Sequence, residues 1–212
     1  VKLSNFRLYR EFELRAMEPY GCTPTRYYHA PEALLSRSFG HPKYGDMFES
    51  YSETMEDLWS LGCVFGECFL RRPLLPGVNF VNQLEQINDF VGTPLEEDLW
   101  FGNDKEALNF IMNVLPKKEA VDLKQKFPTA SDQALSLLTG LLTFDPRKRL
   151  DANHALDHPF FESVRDASYY EIDAKEMFNT DAIDDLELTT RNFEQLMSQE
   201  CMHYHERRFY SN

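Results

Sequence analysis

One long apolar segment limits what this chain can fold into more than any other feature. From Thr54 to Leu70 the sequence reads TMEDLWSLGCVFGECFL, with apolar residues at intervals of three and four, which is the spacing of an α-helix. Trp59 and two cysteines fill the other faces, so the predicted helix is apolar nearly all round and belongs in a protein core. Ser60 and Glu67 interrupt the segment, which is too short and too polar to span a bilayer.

Further helices with recognisable ends are predicted after this segment. Asn79 is a good N-cap for FVNQLEQINDFV, and Gly92 ends that helix. Ser131 caps DQALSLLTGLLTF, and Asp151 caps DANHALDHPFF. A short helix is predicted over KEALNFIMNVL, and a surface helix with a weaker apolar pattern over residues 183 to 199. The predicted fold class is therefore mainly α.

Two long stretches lack a helical pattern, residues 9 to 30 and residues 36 to 53, and both are rich in Gly, Pro, Ser and Tyr. Loops of this length in a compact domain usually either have a function or are misassigned secondary structure. The second stretch contains SRSFGHPKYGDMFESYS and is predicted to be a surface loop. Near the first residue of the chain, Val1 and Leu3 alternate with polar residues, which predicts a β-strand.

Composition and charge exclude several classes of protein. With 212 residues and 42% hydrophobic content the chain can bury a sizeable core, which excludes disorder throughout. The formal net charge of −13 argues against nucleic acid or an anionic membrane as a partner, because both are bound by clustered basic side chains. A basic peptide is the expected partner. The four cysteines form no Cys-x-x-Cys pair and are expected to be reduced, which predicts an intracellular protein.

Five motifs occur in one order along the chain: TRYYHAPE, EDLWSLGCVFGE, RRPLLPGVNFVNQLEQINDFVGTP, KFPTASDQALSLLTGLLTFDPRKRL and HALDHPFF. Together they resemble the C-terminal lobe of a eukaryotic protein kinase. Two segments, ALNFIMNVLPKKEAVDLKQKFPTASDQALSLLTGLLTFDP and the tail FNTDAIDDLELTTRNFEQLM, are most similar to a mitogen-activated protein kinase of the extracellular-signal-regulated type. The resemblance implies a helical lobe that is incomplete at its N-terminal side, with one remnant strand. It also implies a partial kinase domain over residues 1–164 and a C-terminal extension over residues 165–212, and a location in the cytoplasm and nucleus.

Several residues are expected to have structural roles. Glu32 lies in a segment that enters the core, where a carboxylate needs a cation and hydrogen bonds, and the resemblance implies Arg149 as that cation. Asp57 needs donors, and in kinases the matching acid binds the backbone of the catalytic loop. Asp57 and Trp59 both lie on the long apolar helix.

The resemblance implies ATP and magnesium as cofactors of the whole kinase domain. In kinases a strand leads into Asp-Phe-Gly, whose Asp binds magnesium, whereas this chain has Asn5, Phe6 and Arg7 at the matching place. Asn5 keeps one oxygen but lacks the charge that attracts a strongly hydrated divalent ion. Arg7 limits positive-φ conformations at a joint where kinases have glycine. We therefore predict impaired metal-dependent phosphoryl transfer.

Two functional hypotheses follow from these motifs. The chain contains no Gly-rich loop, no strand lysine paired with a helix glutamate and no His-Arg-Asp loop, so no catalytic residue is assigned and neither ATP nor magnesium is expected to bind this chain alone. The first hypothesis is a piece of a serine/threonine kinase, which the absence of an initiator Met favours. The second is a non-catalytic pseudokinase module that binds basic docking peptides.

The predicted activation segment departs from the pattern of its relatives. Tyr20 and Cys22 occupy the Thr-x-Tyr positions that mitogen-activated kinases phosphorylate, and Thr23 follows them. His29 replaces an arginine that in relatives helps bind the phosphotyrosine, whereas Arg26 is retained. Without the phosphorylated residues and without the arginine that pairs with the phosphate, the activation segment is predicted not to be switched by phosphorylation.

Two binding surfaces are implied by the resemblance, each with a simpler alternative. Thr25, Arg26, Tyr27 and Tyr28 match the pocket for the substrate residue that follows the phosphorylated one, which is proline in this group. The aromatic pair in that set could equally pack against the core helix.

Asp166, Glu171 and Asp173 lie where mitogen-activated kinases have an acidic docking patch for basic peptides. The alternative for this patch is ordinary solvated surface, because tyrosines interrupt the acids.

Overall fold

The computed structural model describes residues 26–38, 46–101, 105–165 and 189–209. The chain divides into two compact units, Val1–Arg165 and Asp166–Asn212. Each unit is described by itself.

All of the regular secondary structure in the described residues is helical. Three short 3₁₀ turns lie at Arg26–Tyr28, Glu96–Leu99 and Pro159–Phe161, and α4 continues into a π-helical turn at Phe110–Val114. In chain order the α-helices are α1 (Pro31–Ser38), α2 (Asp46–Leu70), α3 (Phe80–Val91), α4 (Lys105–Asn109), α5 (Leu123–Lys126), α6 (Asp132–Leu141) and α7 (Ala152–Leu156) in the first unit, and α8 (Thr190–Phe209) in the second.

The predicted mainly α class is confirmed, since no strand occurs in the part of the chain that the structure describes. The strand predicted at Val1 and Leu3 lies outside the described residues. Within that same part of the chain, every helix is too short or too polar to cross a bilayer.

The predicted N-caps form as expected. The side chains of Asn79, Ser131 and Asp151 each accept the backbone amide three residues ahead, at 2.8, 3.1 and 2.8 Å. Each bond satisfies one of the amides that a helix N-terminus leaves without an intrahelical partner. Gly92 ends α3 with a φ of 85°, a backbone conformation that favours glycine.

The predicted loop over residues 36 to 53 is wrong at both ends. Residues 36 to 38 are the last turn of α1, and residues 46 to 53 are the first two turns of α2, which begins at Asp46 rather than Thr54. The sequence DMFESYSE contains neither glycine nor proline, so the helix extends through it. Residues 39 to 45 lie outside the described part.

The main core is built around α2. Trp59 and Cys63 of this helix are almost completely buried, together with Ile87 of α3 and Leu138 of α6. A second group packs between α2, α6 and α7, and consists of Met55, Leu58, Leu137, Leu141 and Ala155. The central apolar helix that the sequence predicted is therefore the element to which most of the lobe is attached.

One side of α2 is not buried, contrary to prediction. Leu61 and Val64 are 51% and 47% exposed, and Thr54, Asp57 and Cys68 are exposed on the same stripe. The described elements α1, α6 and the Arg26–Tyr28 turn pack against other sides of the helix. Apolar residues all round a helix therefore did not mean burial all round.

We predict that Leu138→Ala lowers the free energy of unfolding by about 2–5 kcal/mol, because it leaves a cavity in the main core. Urea unfolding followed by circular dichroism measures the change. Leu156→Ala is the matched control, since Leu156 is 55% exposed on α7 and the same substitution there has little effect. Equal losses in the two variants would contradict the described packing.

Candidate functional site

A buried ion pair joins α1 to the segment that follows α6. Arg149 donates from Nη1 to Oε1 of Glu32 at 2.7 Å and from Nη2 to Oε2 at 3.0 Å, and neither side chain is exposed to solvent. Its remaining three N–H groups donate to the carbonyl oxygens of Met55, Phe144 and Thr143, at 2.7, 3.2 and 3.0 Å. All five guanidinium donors therefore have acceptors, which is what a buried arginine requires.

The same guanidinium also contacts the core of the lobe. Its carbon lies 5.1 Å from the centre of the Trp59 ring, within the range of a cation–π interaction. The structure thus places Glu32 at the start of α1 against the cation that the resemblance implied. The pair connects α1, α2 and the turn that contains Arg149.

The turn Arg26–Tyr28 lies between α2 and α3. Arg26 donates to the carbonyl oxygen of Val78, and its guanidinium lies 5.8 Å from the centre of the Phe80 ring. Gln83, which is fully buried on α3, donates to the carbonyl oxygen of Tyr27 at 3.4 Å. Thr25 lies outside the described residues.

Tyr28 faces α2. Its hydroxyl donates to Oε1 of Glu67 at 2.8 Å, and its ring packs against the main core. Burial, and then the hydrogen bond to Glu67, raise the pKa of Tyr28 to about 12. Burial and the charge of Glu67 likewise raise the pKa of Cys63 to about 12. Both groups therefore stay neutral at physiological pH.

His29 follows the turn and contacts α2 as well. Its Nδ1 lies 2.9 Å from Oε1 of Glu56, and the two side chains are 13% and 21% exposed. The sequence alone singled out neither Glu56 nor Glu67 as an acceptor for this turn. Their positions on one face of a helix, eleven residues apart, were a signal that could have identified them.

Other predicted site residues lie outside the described part of the chain. These are Asn5 of the predicted magnesium position, Tyr20, Cys22 and Thr23 of the activation segment, and Asp166, Glu171 and Asp173 of the docking patch. Their roles stay predictions. Asp57 is described, and it lies on the exposed stripe of α2.

The cavity with a volume of about 320 Å³ lies elsewhere, between the end of α3 and α6. Phe90, Leu138 and Leu142 contribute to its apolar lining, and Asp98 and Lys148 also line it. None of the predicted site residues that the structure describes borders this cavity. In the described ranges no three His, Cys, Asp or Glu side chains form a group suited to a metal ion.

Comparison with known proteins decides the family. A family model described as protein kinase domain matches residues 1–161. The chain belongs to the protein kinase family. It is 33% identical to mitogen-activated protein kinase hog1 of Blastobotrys adeninivorans, over 97% of this chain and 47% of that protein. It is 34% identical to Hog1 of Zymoseptoria tritici, over 97% and 52%, and 33% identical to HOG1 of Alternaria brassicicola, over 97% and 53%.

These similarities confirm the relation to mitogen-activated protein kinases that the motifs indicated. The relatives bear the name Hog1, so the finer assignment to the extracellular-signal-regulated type stays a prediction. The chain spans about half the length of the curated relatives it matches.

We predict that Glu32→Gln lowers the free energy of unfolding by about 3–5 kcal/mol, since it leaves the Arg149 guanidinium buried without a counter-charge. Urea unfolding measures the loss. The double variant Glu32→Leu with Arg149→Met should lose less free energy of unfolding than the two single variants lose in sum, because it removes both charges together.

The exposed Lys124–Asp132 pair provides the control. Its N–O distance of 2.9 Å is similar, but both side chains are in solvent, so Lys124→Ala should leave the urea midpoint nearly unchanged. A Glu32→Gln loss no larger than that of Lys124→Ala would contradict the structural role of the buried pair.

Proposed function

We propose that this chain is the C-terminal lobe region of a mitogen-activated-type serine/threonine protein kinase, which as a whole transfers phosphoryl groups from ATP to proteins. The kinase domain match over residues 1–161 carries the proposal. The fully hydrogen-bonded Glu32–Arg149 pair supports it, because it fixes the segment after the Arg26–Tyr28 turn to the helical base. Residues 1–164 are proposed as the partial kinase domain and residues 165–212 as its extension.

The proposed substrate surface is the segment Thr25 to Tyr28, whose described part lies between α2 and α3. Protein substrates and regulators are the proposed partners, and the cytoplasm and nucleus are the proposed location. Both proposals come from the likeness to mitogen-activated kinases. Arg26, Tyr27 and Tyr28 would shape the site, while the Tyr28 hydroxyl is already bonded to Glu67.

We further propose that phosphoryl transfer in the whole protein is impaired. Asn5 would stand at the magnesium position, and its neutral amide oxygen suits magnesium less well than a carboxylate. Magnesium, when bound in kinases, neutralises charge on the nucleotide phosphates.

A second candidate function is a non-catalytic module that binds basic docking peptides. The net charge of −13 favours this candidate, because an acidic protein attracts basic partners. Asp166, Glu171 and Asp173 would form the docking patch, and loss of the magnesium ligand at Asn5 would not affect it.

We predict that Asn5→Asp, made in the whole protein that contains this chain, raises magnesium-dependent phosphorylation of a protein substrate at least about tenfold. The restored carboxylate supplies the charge that the metal requires. A radiolabelled phosphate transfer assay measures the change. Asn153→Asp is the matched control, since it makes the same chemical change at an exposed position on α7.

Equal and measurable activity of the native protein and the Asn5→Asp variant would contradict the proposed impairment. Absence of transfer in both, with no thermal shift at millimolar ATP and magnesium, would overturn the kinase proposal and favour the binding module.

We predict that neutralising the docking patch with Asp166→Asn, Glu171→Gln and Asp173→Asn weakens binding of a lysine- and arginine-rich synthetic peptide at least about fivefold. This loss of peptide affinity should become smaller as salt is added, because salt screens the attraction between the charges. Fluorescence anisotropy at two ionic strengths measures both effects.

The control neutralises three acids that are exposed elsewhere on the chain, Glu96, Glu119 and Glu162, and so changes the net charge equally. Equal weakening by the two triple variants would show a general charge effect and would contradict a docking patch.

A further inference from the structure

Three polar side chains form a row on one face of α2. Glu56, Ser60 and Glu67 are spaced by four and seven residues, which brings them to the same side of a helix with 3.6 residues per turn. The exposed stripe with Leu61 and Val64 lies on the neighbouring face, about 100° round the helix axis from these three residues. We call Glu56, Ser60 and Glu67 the polar row.

The polar row binds two consecutive residues of the segment before α1. Ser60 donates from its hydroxyl to the carbonyl oxygen of Tyr28 at 2.7 Å, and the Tyr28 hydroxyl donates to Glu67 at 2.8 Å. Glu56 lies 2.9 Å from His29 Nδ1. One backbone group and two side chains are therefore fixed along about three turns of one helix.

All three contacts use groups that an unmodified protein supplies. The Nδ1 atom of His29 donates to a carboxylate both in the imidazolium form and in the neutral tautomer that carries its proton on Nδ1. The raised pKa of Tyr28 keeps its hydroxyl protonated and able to donate. None of the three contacts needs a phosphate group.

The sequence around the turn lacks the usual switching chemistry. Tyr20 and Cys22 stand at the positions that relatives phosphorylate, and His29 replaces the arginine that pairs with the phosphate. At the same position the structure has a contact between His29 and Glu56 across 27 residues of sequence. A permanent carboxylate on α2 is therefore the partner of His29.

We propose that His29 and Glu56 are positioning residues that fix the Arg26–Tyr28 turn against α2 without phosphorylation. This proposal rests on the proposed function only because the turn is part of the proposed substrate surface. The contact between His29 and Glu56 adds to the hydrogen bonds that Ser60 and Glu67 make with Tyr28, and it can be tested without a substrate or nucleotide.

Hydrogen–deuterium exchange of the full chain, followed by mass spectrometry of peptides covering residues 26–30, tests the proposal. His29→Ala and Glu56→Ala should each speed exchange in these peptides about tenfold, while peptides from α6 stay unchanged. The double variant should exchange no faster than either single variant, because both changes remove the same contact.

His154→Ala is the matched control. His154 also contacts a carboxylate, that of Asp151 at 2.7 Å, but its side chain is 75% exposed and lies far along the chain on α7. His29→Asn is the rescue variant, since the asparagine amide can donate from about the place of Nδ1. We expect His29→Asn to recover at least half of the lost protection.

Two results would overturn the proposal. One is an exchange rate in residues 26–30 that is the same in His29→Ala as in the His154→Ala control. The other is a double variant whose effect equals the product of the single effects. If His29→Ala also speeds exchange in α6, Glu56→Ala decides, and exchange in residues 26–30 of that variant equal to the native chain's would overturn the proposal. A failed Asn5→Asp experiment would leave these outcomes unaffected.

Discussion

The structure of this lobe depends on one buried charge pair. Removing Glu32 and Arg149 from water has a large desolvation cost, which their attraction offsets only when every remaining donor also finds an acceptor. Here the five guanidinium N–H groups reach two carboxylate oxygens and three carbonyl oxygens. Because those acceptors come from α1, α2 and the segment after α6, their positions are fixed relative to one another by a single side chain.

Helix α2 shows how one element can have three different surfaces. Its inner side, with Trp59, lies in the main core and contacts the guanidinium of Arg149. Its polar row binds the turn and His29 through three hydrogen-bonding contacts. Its third side exposes Leu61 and Val64 to solvent. The position of the proposed substrate surface thus follows from packing and from hydrogen bonds of the same helix.

The parts of the fold that local chemistry determines could be predicted from sequence. The capping side chains at Asn79, Ser131 and Asp151 and the glycine at the end of α3 act within one helical turn, so a short window of sequence contains the signal. The start of α2 at Asp46 was missed because polar, serine-rich sequence resembles a loop until packing of the rest of the helix extends it. The exposure of Leu61 was missed because periodicity states which residues share a face, and not what covers that face.

The central claim is that the Arg149 guanidinium is fully bonded and dry, and NMR of arginine side chains tests it most directly. We expect separate, slowly exchanging Nη–H signals for Arg149, with nuclear Overhauser contacts to the Trp59 ring, and their loss in Glu32→Gln. Averaged signals like those of the exposed Arg71 and Arg72 would contradict the claim, and the fixed link between α1 and the helical base with it.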